Sequence, residues 1–147
     1  MFTLTDYMED IEADKKMIKI LLSNYKKVYF WIQGSNDIQY ISKIYKGNDI
    51  VLVPPTLEAY DKILESTKSL DYVGTRLHAG IRALQKKVRT IVVAIDNRAL
   101  EKSQDINLNI VKRIDIANKL ENIINNDVIT NIKLPLENIK IWKNQFV

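Results

Sequence analysis

Arg76 and His78 stand two residues apart in the stretch Asp71-Tyr-Val-Gly-Thr-Arg-Leu-His-Ala-Gly80, which holds the one histidine of the chain. A guanidinium and an imidazole that close together suit the binding of an anion and the holding or passing of a proton beside it. The apolar residues from Leu70 to Val73 predict a short buried strand that runs through Gly74-Thr75 into a helix beginning near Arg76. Such a turn sets backbone N–H groups and the positive end of a helix at the C-terminal edge of a sheet, where anionic ligands bind in open α/β folds. His78 and Arg76 are therefore the candidate catalytic residues, and Gly74, Thr75 and Arg76 the candidate anion cradle.

Other chemistries lack their residues. One histidine and no cysteine cannot build a zinc site, so no metal is expected. The chain has no Gly-x-Ser-x-Gly elbow, no P-loop lysine motif and no Gly-x-Gly-x-x-Gly after its first apolar strand. Nucleotide hydrolysis and dinucleotide redox chemistry lose support accordingly, and no cofactor is expected.

The elements that must position these residues alternate between helical and strand periods. Asp10 to Tyr25 carries Ile11, Ile18, Leu21, Leu22 and Tyr25 as an amphipathic stripe. Val28-Tyr-Phe-Trp-Ile32 reads as a buried strand ending at Gln33-Gly34-Ser35, and Asp37 to Tyr45 as a helix stopped by Gly47. Ile50 to Val53 is a second apolar strand, cut off by Pro54-Pro55. Thr56 to Glu65 begins with a good N-cap and reads as a helix. Thr90 to Ile95 is the clearest strand, ending in Asp96-Asn97-Arg98. A weaker strand is expected near Asn109–Arg113, then helices from Asp115 to Asn125 and from Leu136 to Phe146, the last presenting Ile139, Trp142 and Phe146. In the helix after Arg76, Leu77, Ile81 and Leu84 are expected to form the buried stripe, with Gly80 allowing tight packing on the sheet.

Apolar strands separated by helices of ordinary length mean βαβ units. The expected fold is a single α/β domain over residues 1–147, Rossmann-like and three-layered, with a mostly parallel sheet of about five strands and helices on both faces. All strand C-termini then lie along one edge, which collects Gln33-Gly34-Ser35, Pro54-Pro55, the Gly74–His78 turn and Asp96-Asn97-Arg98. Arg98 becomes a further anion contact; Gln33, Gly34, Asp96 and Asn97 become lining residues.

Composition bounds the partners. With 147 residues the chain is long enough to bury a core without disulfides. The net charge is +4, yet the basic pairs Lys15-Lys16, Lys26-Lys27 and Lys86-Lys87 are dispersed, each expected near a helix end. No clustered basic face with interleaved aromatics suggests nucleic acid. No apolar run approaches a membrane span, and the acidic opening MFTLTDYMED is unlike a signal peptide, so a cytoplasmic protein is expected.

The Asp71–Gly80 stretch, followed by Thr90–Ile95 and Asp96-Asn97-Arg98, resembles the C-terminal half of the polysaccharide pyruvyl transferase family. Flanking fragments carry the likeness over most of the chain: Trp31-Ile-Gln33-Gly34 with Asp37, Asp105-Ile-Asn-Leu108, and Trp142 with Gln145-Phe146. The resemblance implies one of two Rossmann-like domains facing a cleft, as in GT-B glycosyltransferases. It implies transfer of a pyruvyl group from phosphoenolpyruvate to a sugar, forming a pyruvate ketal in bacterial exopolysaccharide or cell-wall polymer. Arg76 and His78 match the family's donor-binding arginine and histidine. The implied partners are phosphoenolpyruvate and a glycan or lipid-linked sugar acceptor, with peripheral association with glycan assembly at the inner face of the membrane. Family members are roughly twice this length, so contact with a missing N-terminal domain, or a homodimer, is expected, and the chain is expected to open directly on the helix leading into that domain. Two alternatives stand beside this: a GT-B glycosyltransferase domain using a sugar nucleotide, and a non-catalytic Rossmann-like binding or oligomerisation module.

Overall fold

The computed structural model describes residues 1–66, 69–126 and 128–146. Six parallel strands, β1 (Phe2–Thr3), β2 (Val28–Trp31), β3 (Ile50–Val53), β4 (Asp71–Gly74), β5 (Arg89–Ala94) and β6 (Ile110–Lys112), form one sheet in the order β3-β2-β1-β4-β5-β6. Helices α1 (Ile11–Asn24), α2 (Ser35–Ile44), α3 (Leu57–Leu64), α4 (Leu77–Gln85) and α5 (Asn97–Ile106) connect them. After β6 come single turns over Arg113–Asp115 and Ile116–Leu120, then α6 (Glu121–Asn125) and α7 (Leu136–Lys143), which ends in a turn over Asn144–Phe146. This is the Rossmann-like α/β fold, with six strands rather than about five.

The added strand is β1, which corrects the expectation that the chain opens on a helix. Phe2 pairs with Phe30 on one side and with Val73 on the other, and Thr3 pairs with Gly74. Two residues are too few for a visible alternation, so only their neighbours reveal the strand.

Strand residues alternate between two apolar layers. Phe2, Phe30, Val73, Ile91, Val93 and Val111 face Met17 and Leu21 of α1, Tyr40 and Ile41 of α2, and Leu120 and Ile124 beyond β6. Trp31, Val53, Tyr72, Val92 and Ala94 face Tyr60 and Leu64 of α3, Ala79 and Ala83 of α4, and Ala99 of α5. Both faces are covered, which is why the central strands read as continuous apolar runs. The edge strand β3 departs from this, since Val51 and Leu52 are exposed.

Further expectations are corrected. The face of α4 that meets the sheet is Ala79, Gly80 and Ala83, with Leu77, Ile81 and Leu84 only half-buried. The helix lies so close that a Cβ on Gly80 would fall 2.8 Å from Val92 Cγ2 and 3.1 Å from Tyr72 Cε1, so only the smallest residues fit. Helix α2 stops at Ile44 through an extended Tyr45, before Gly47, and no glycine has a positive φ. Lys15-Lys16 lies inside α1 rather than at its end. The Asp115–Asn125 helix is instead the irregular sequence of turns leading into α6, and in α7 Trp142 and Phe146 are exposed while Ile139 is half-buried.

Candidate functional site

The strand order reverses between β1 and β4, and the loops leaving those two strands part at their C-terminal ends. In open α/β sheets this switch point is where a ligand crevice forms. A cleft of ≈ 200 Å³ lies there, lined by Tyr7 from the β1–α1 loop, Gln33 after β2, Thr75, Arg76 and His78 after β4, and Asp96 and Arg98 after β5. Leu77, Ile95 and Ala99 complete its walls.

Six of the residues read from the sequence therefore meet in one place: Gln33, Thr75, Arg76, His78, Asp96 and Arg98. Three others do not line the cleft. Gly74 lies buried within the sheet, where a Cβ would fall 2.6 Å from Thr3 Oγ1 and 2.8 Å from Thr3 O, so its role is close strand packing. Gly34 is the N-cap of α2, and Asn97 is the first residue of α5. Pro54-Pro55 belongs to the exit of the edge strand and is not part of the lining.

Arg76 is tied down by the loop after β1 and by the first turn of α2. Its Nε donates to Leu4 O at 2.7 Å, and its Nη2 to Asp37 Oδ1 at 2.5 Å and Asp6 Oδ1 at 3.4 Å. Asp37 is itself held, because its Oδ2 accepts the N–H of Gln33 at 2.7 Å and of Gly34 at 3.0 Å. The turn beneath is fixed by Thr75 N–H donating to Thr3 O and by the Tyr72 hydroxyl donating to Arg76 O at 2.8 Å. Burial pushes the Tyr72 phenol well above its ordinary range, which keeps it a neutral donor.

Arg98 is pinned in a similar way from the far side of the cleft. Its Nε donates to Asp96 Oδ2 at 2.9 Å, and its Nη2 to the same oxygen at 2.6 Å and to the Tyr7 hydroxyl. These hydrogen bonds hold the Asp96 carboxyl below the usual carboxylate range. Each arginine thus commits Nε and Nη2 to the protein, and its Nη1 has no acceptor among the described residues.

Helix α4 differs from the other helices leaving this edge. Asp10 caps α1, Asp37 closes the first turn of α2, Thr56 caps α3 and Asp96 caps α5. The N-cap of α4 is Arg76, whose side chain makes no capping bond, and its first turn holds no acidic residue. Orphan N–H groups and the positive end of the helix dipole consequently face the cleft unanswered. Beside them Thr75, only 5% exposed, has a buried hydroxyl with no hydrogen-bond partner. The imidazole of His78 is exposed at the mouth, with no side-chain hydrogen bond among the described residues.

Chemically the arrangement offers hydrogen-bond donors suited to an anion, with the exposed His78 imidazole lining the same cleft. Backbone N–H groups, one hydroxyl and two oriented guanidinium edges are the donors. Among the described residues no three His, Asp or Glu side chains gather as a metal-ligand set, and no helix is long and apolar enough to cross a membrane. The sequence reading missed Tyr7 and Asp6. Both follow β1, so recognising that strand is the signal that finds them.

Comparison of the chain with protein-family models, curated proteins and solved structures returned no match.

Proposed function

We propose that this chain is the donor-binding domain of a pyruvyl transferase that takes phosphoenolpyruvate and delivers its pyruvyl group to two hydroxyls of a sugar. The observation that carries the reading is the uncapped start of α4 beside the unpartnered Thr75 hydroxyl, with Arg76 and Arg98 lining the same cleft. Phosphoenolpyruvate presents a phosphate and a carboxylate, the two groups that oriented N–H donors and guanidinium forks recognise. The size of the cleft favours this donor over a sugar nucleotide, since ≈ 200 Å³ is below the ~300–1,000 Å³ of sites for larger ligands.

The reaction balances without a cofactor. A proton adds to the methylene carbon, charge develops at the carbon bearing the phosphate, and one sugar hydroxyl adds there with loss of its proton. The second hydroxyl displaces the phosphate and loses its proton to the departing group, giving the ketal and inorganic phosphate. In this scheme the α4 N–H groups, Thr75 and the arginines hold the anionic groups, and His78 donates or relays the proton. The acceptor sugar is presented by a facing domain, and the working location is the cytoplasmic face of the membrane where lipid-linked glycans are assembled.

Asp6, Asp37 and Asp96 outnumber the two guanidiniums they pair with, so the pull on an anion comes from oriented donors rather than from surplus positive charge. Binding should accordingly depend only weakly on ionic strength. Isothermal titration of the chain with phosphoenolpyruvate, inorganic phosphate and nucleoside-diphosphate sugars tests the assignment. Saturable binding of phosphoenolpyruvate is expected, with His78→Ala abolishing transfer in the assembled enzyme while the fold persists. Preference for the sugar nucleotide would replace this reading with glycosyl transfer, and binding of none of the three would replace it with a non-catalytic module.

A further inference from the structure

Resting on the donor-binding reading, we infer that Tyr7 is a positioning residue that fixes the Arg98 guanidinium over the cleft. Tyr7 lies on the short loop between β1 and α1, and its hydroxyl accepts from Arg98 Nη2. The Arg98 guanidinium carbon sits 5.7 Å from the centre of the Tyr7 ring, within reach of a cation–π attraction. Arg98 is otherwise a solvent-exposed side chain, its side chain 61% accessible, with Asp96 as its one further protein partner among the described contacts. A long exposed arginine loses rotamer freedom when it binds a ligand, so a residue that immobilises it beforehand raises affinity.

The loop that carries Tyr7 is held in an unfavourable shape. Met8 has φ 54°, the left-handed region that side chains other than Gly, Asn and Asp rarely adopt. Its carbonyl accepts from Arg113 Nη1, and Arg113 is anchored by Asp14, a fully buried carboxylate that also accepts from the Tyr40 hydroxyl at 2.6 Å. Strain that persists because its surroundings over-determine it is a sign of a constrained position. Here the constraint runs from the buried Asp14–Arg113 pair through Met8 to Tyr7, and from Tyr7 to the arginine at the cleft.

A double-mutant cycle with Tyr7→Phe and Arg98→Ala, read by titration with phosphoenolpyruvate, tests the inference. Phenylalanine keeps the ring and removes the hydroxyl. We expect Tyr7→Phe to weaken binding about tenfold in the otherwise unchanged protein, the usual effect of one hydrogen bond to a charged group. In the Arg98→Ala background the same change should have no effect. Equal losses in both backgrounds, or none in either, would overturn the positioning role. A second readout is independent of the ligand: the guanidinium N–H resonances of Arg98 should be resolved in the unliganded protein and merge by faster rotation in Tyr7→Phe. If phosphoenolpyruvate does not bind while those resonances still depend on Tyr7, the donor assignment fails and the positioning relationship stands. Resonances indifferent to Tyr7 sink the inference whatever the protein binds.

Discussion

Arg76 Nη2 lies 2.5 Å from Asp37 Oδ1, and Asp37, though it belongs to the helix after a different strand, is 1% exposed. This pair joins the β2–α2 and β4–α4 loops across the switch point, and Leu4 O draws in the loop after β1. Removing one member leaves the other charge with part of its solvation unreplaced. Asp37→Ala should cost about 3–5 kcal/mol, with Arg76 left to Leu4 O and the more distant Asp6 and the Gln33 and Gly34 N–H groups unsatisfied. Chemical denaturation followed by circular dichroism measures this, and a loss below about 1 kcal/mol would show the pair to be solvent-screened.

Thr75 and Thr5 both carry buried hydroxyls without partners, but Thr75 alone of the two lines the cleft. Replacing either by valine removes an unsatisfied polar group at nearly constant shape. Each variant should gain on the order of 1 kcal/mol of stability. Thr75→Val should also weaken phosphoenolpyruvate binding, whereas Thr5→Val should leave it unchanged. Parallel melting curves and titrations on the two variants give the comparison, and equal affinities would remove Thr75 from the site.

Gly80 and Gly74 are needed for space. An alanine at Gly80 pushes α4 away from Val92 and Tyr72, and we expect Gly80→Ala to cost about 1–3 kcal/mol despite the better helix propensity of alanine. Gly74→Ala should cost more, because it meets the Thr3 carbonyl, a backbone atom that cannot rotate aside. A rise in melting temperature for Gly80→Ala would contradict the packing account.

Two carboxylates should give opposite pH slopes. Asp61 accepts two hydrogen bonds from Arg82, at 2.7 and 2.6 Å, and these hold it below its ordinary 3.8. Its contribution is complete above that value and is lost as pH falls through the folded-state value. Asp14 is pushed above 3.8 by burial, so its contribution is complete below 3.8 and declines as pH rises through its folded-state value. The stability difference between the unaltered protein and Asp61→Asn should therefore shrink on acidification, while that for Asp14→Asn should shrink on raising the pH. Urea titrations from pH about 3 to 7 measure both slopes.

Much of this molecule was readable locally. Strands β2 to β5 are short apolar runs with polar exits, and Thr56 announces α3, because alternation, helical spacing and capping act over a few residues. The same local chemistry picked out Thr75, Arg76, His78, Asp96 and Arg98, since a strand ending in small or charged residues marks a sheet edge wherever the strand later pairs. Gly80 was legible as a packing residue for the same reason.

Pairing between distant parts of the chain decided the rest. Phe2–Thr3 is a strand because β2 and β4 flank it, and with that strand in the middle of the sheet the switch point moves beside it and brings Tyr7 and Asp6 to the site. Arg76 meets Asp37 and Leu4 across 39 and 72 residues of chain, and no spacing rule spans such a distance. The small-residue face of α4 prevailed over its leucine stripe for a related reason: hydrophobic spacing says which residues prefer burial, while the separation between helix and sheet says which of them fit.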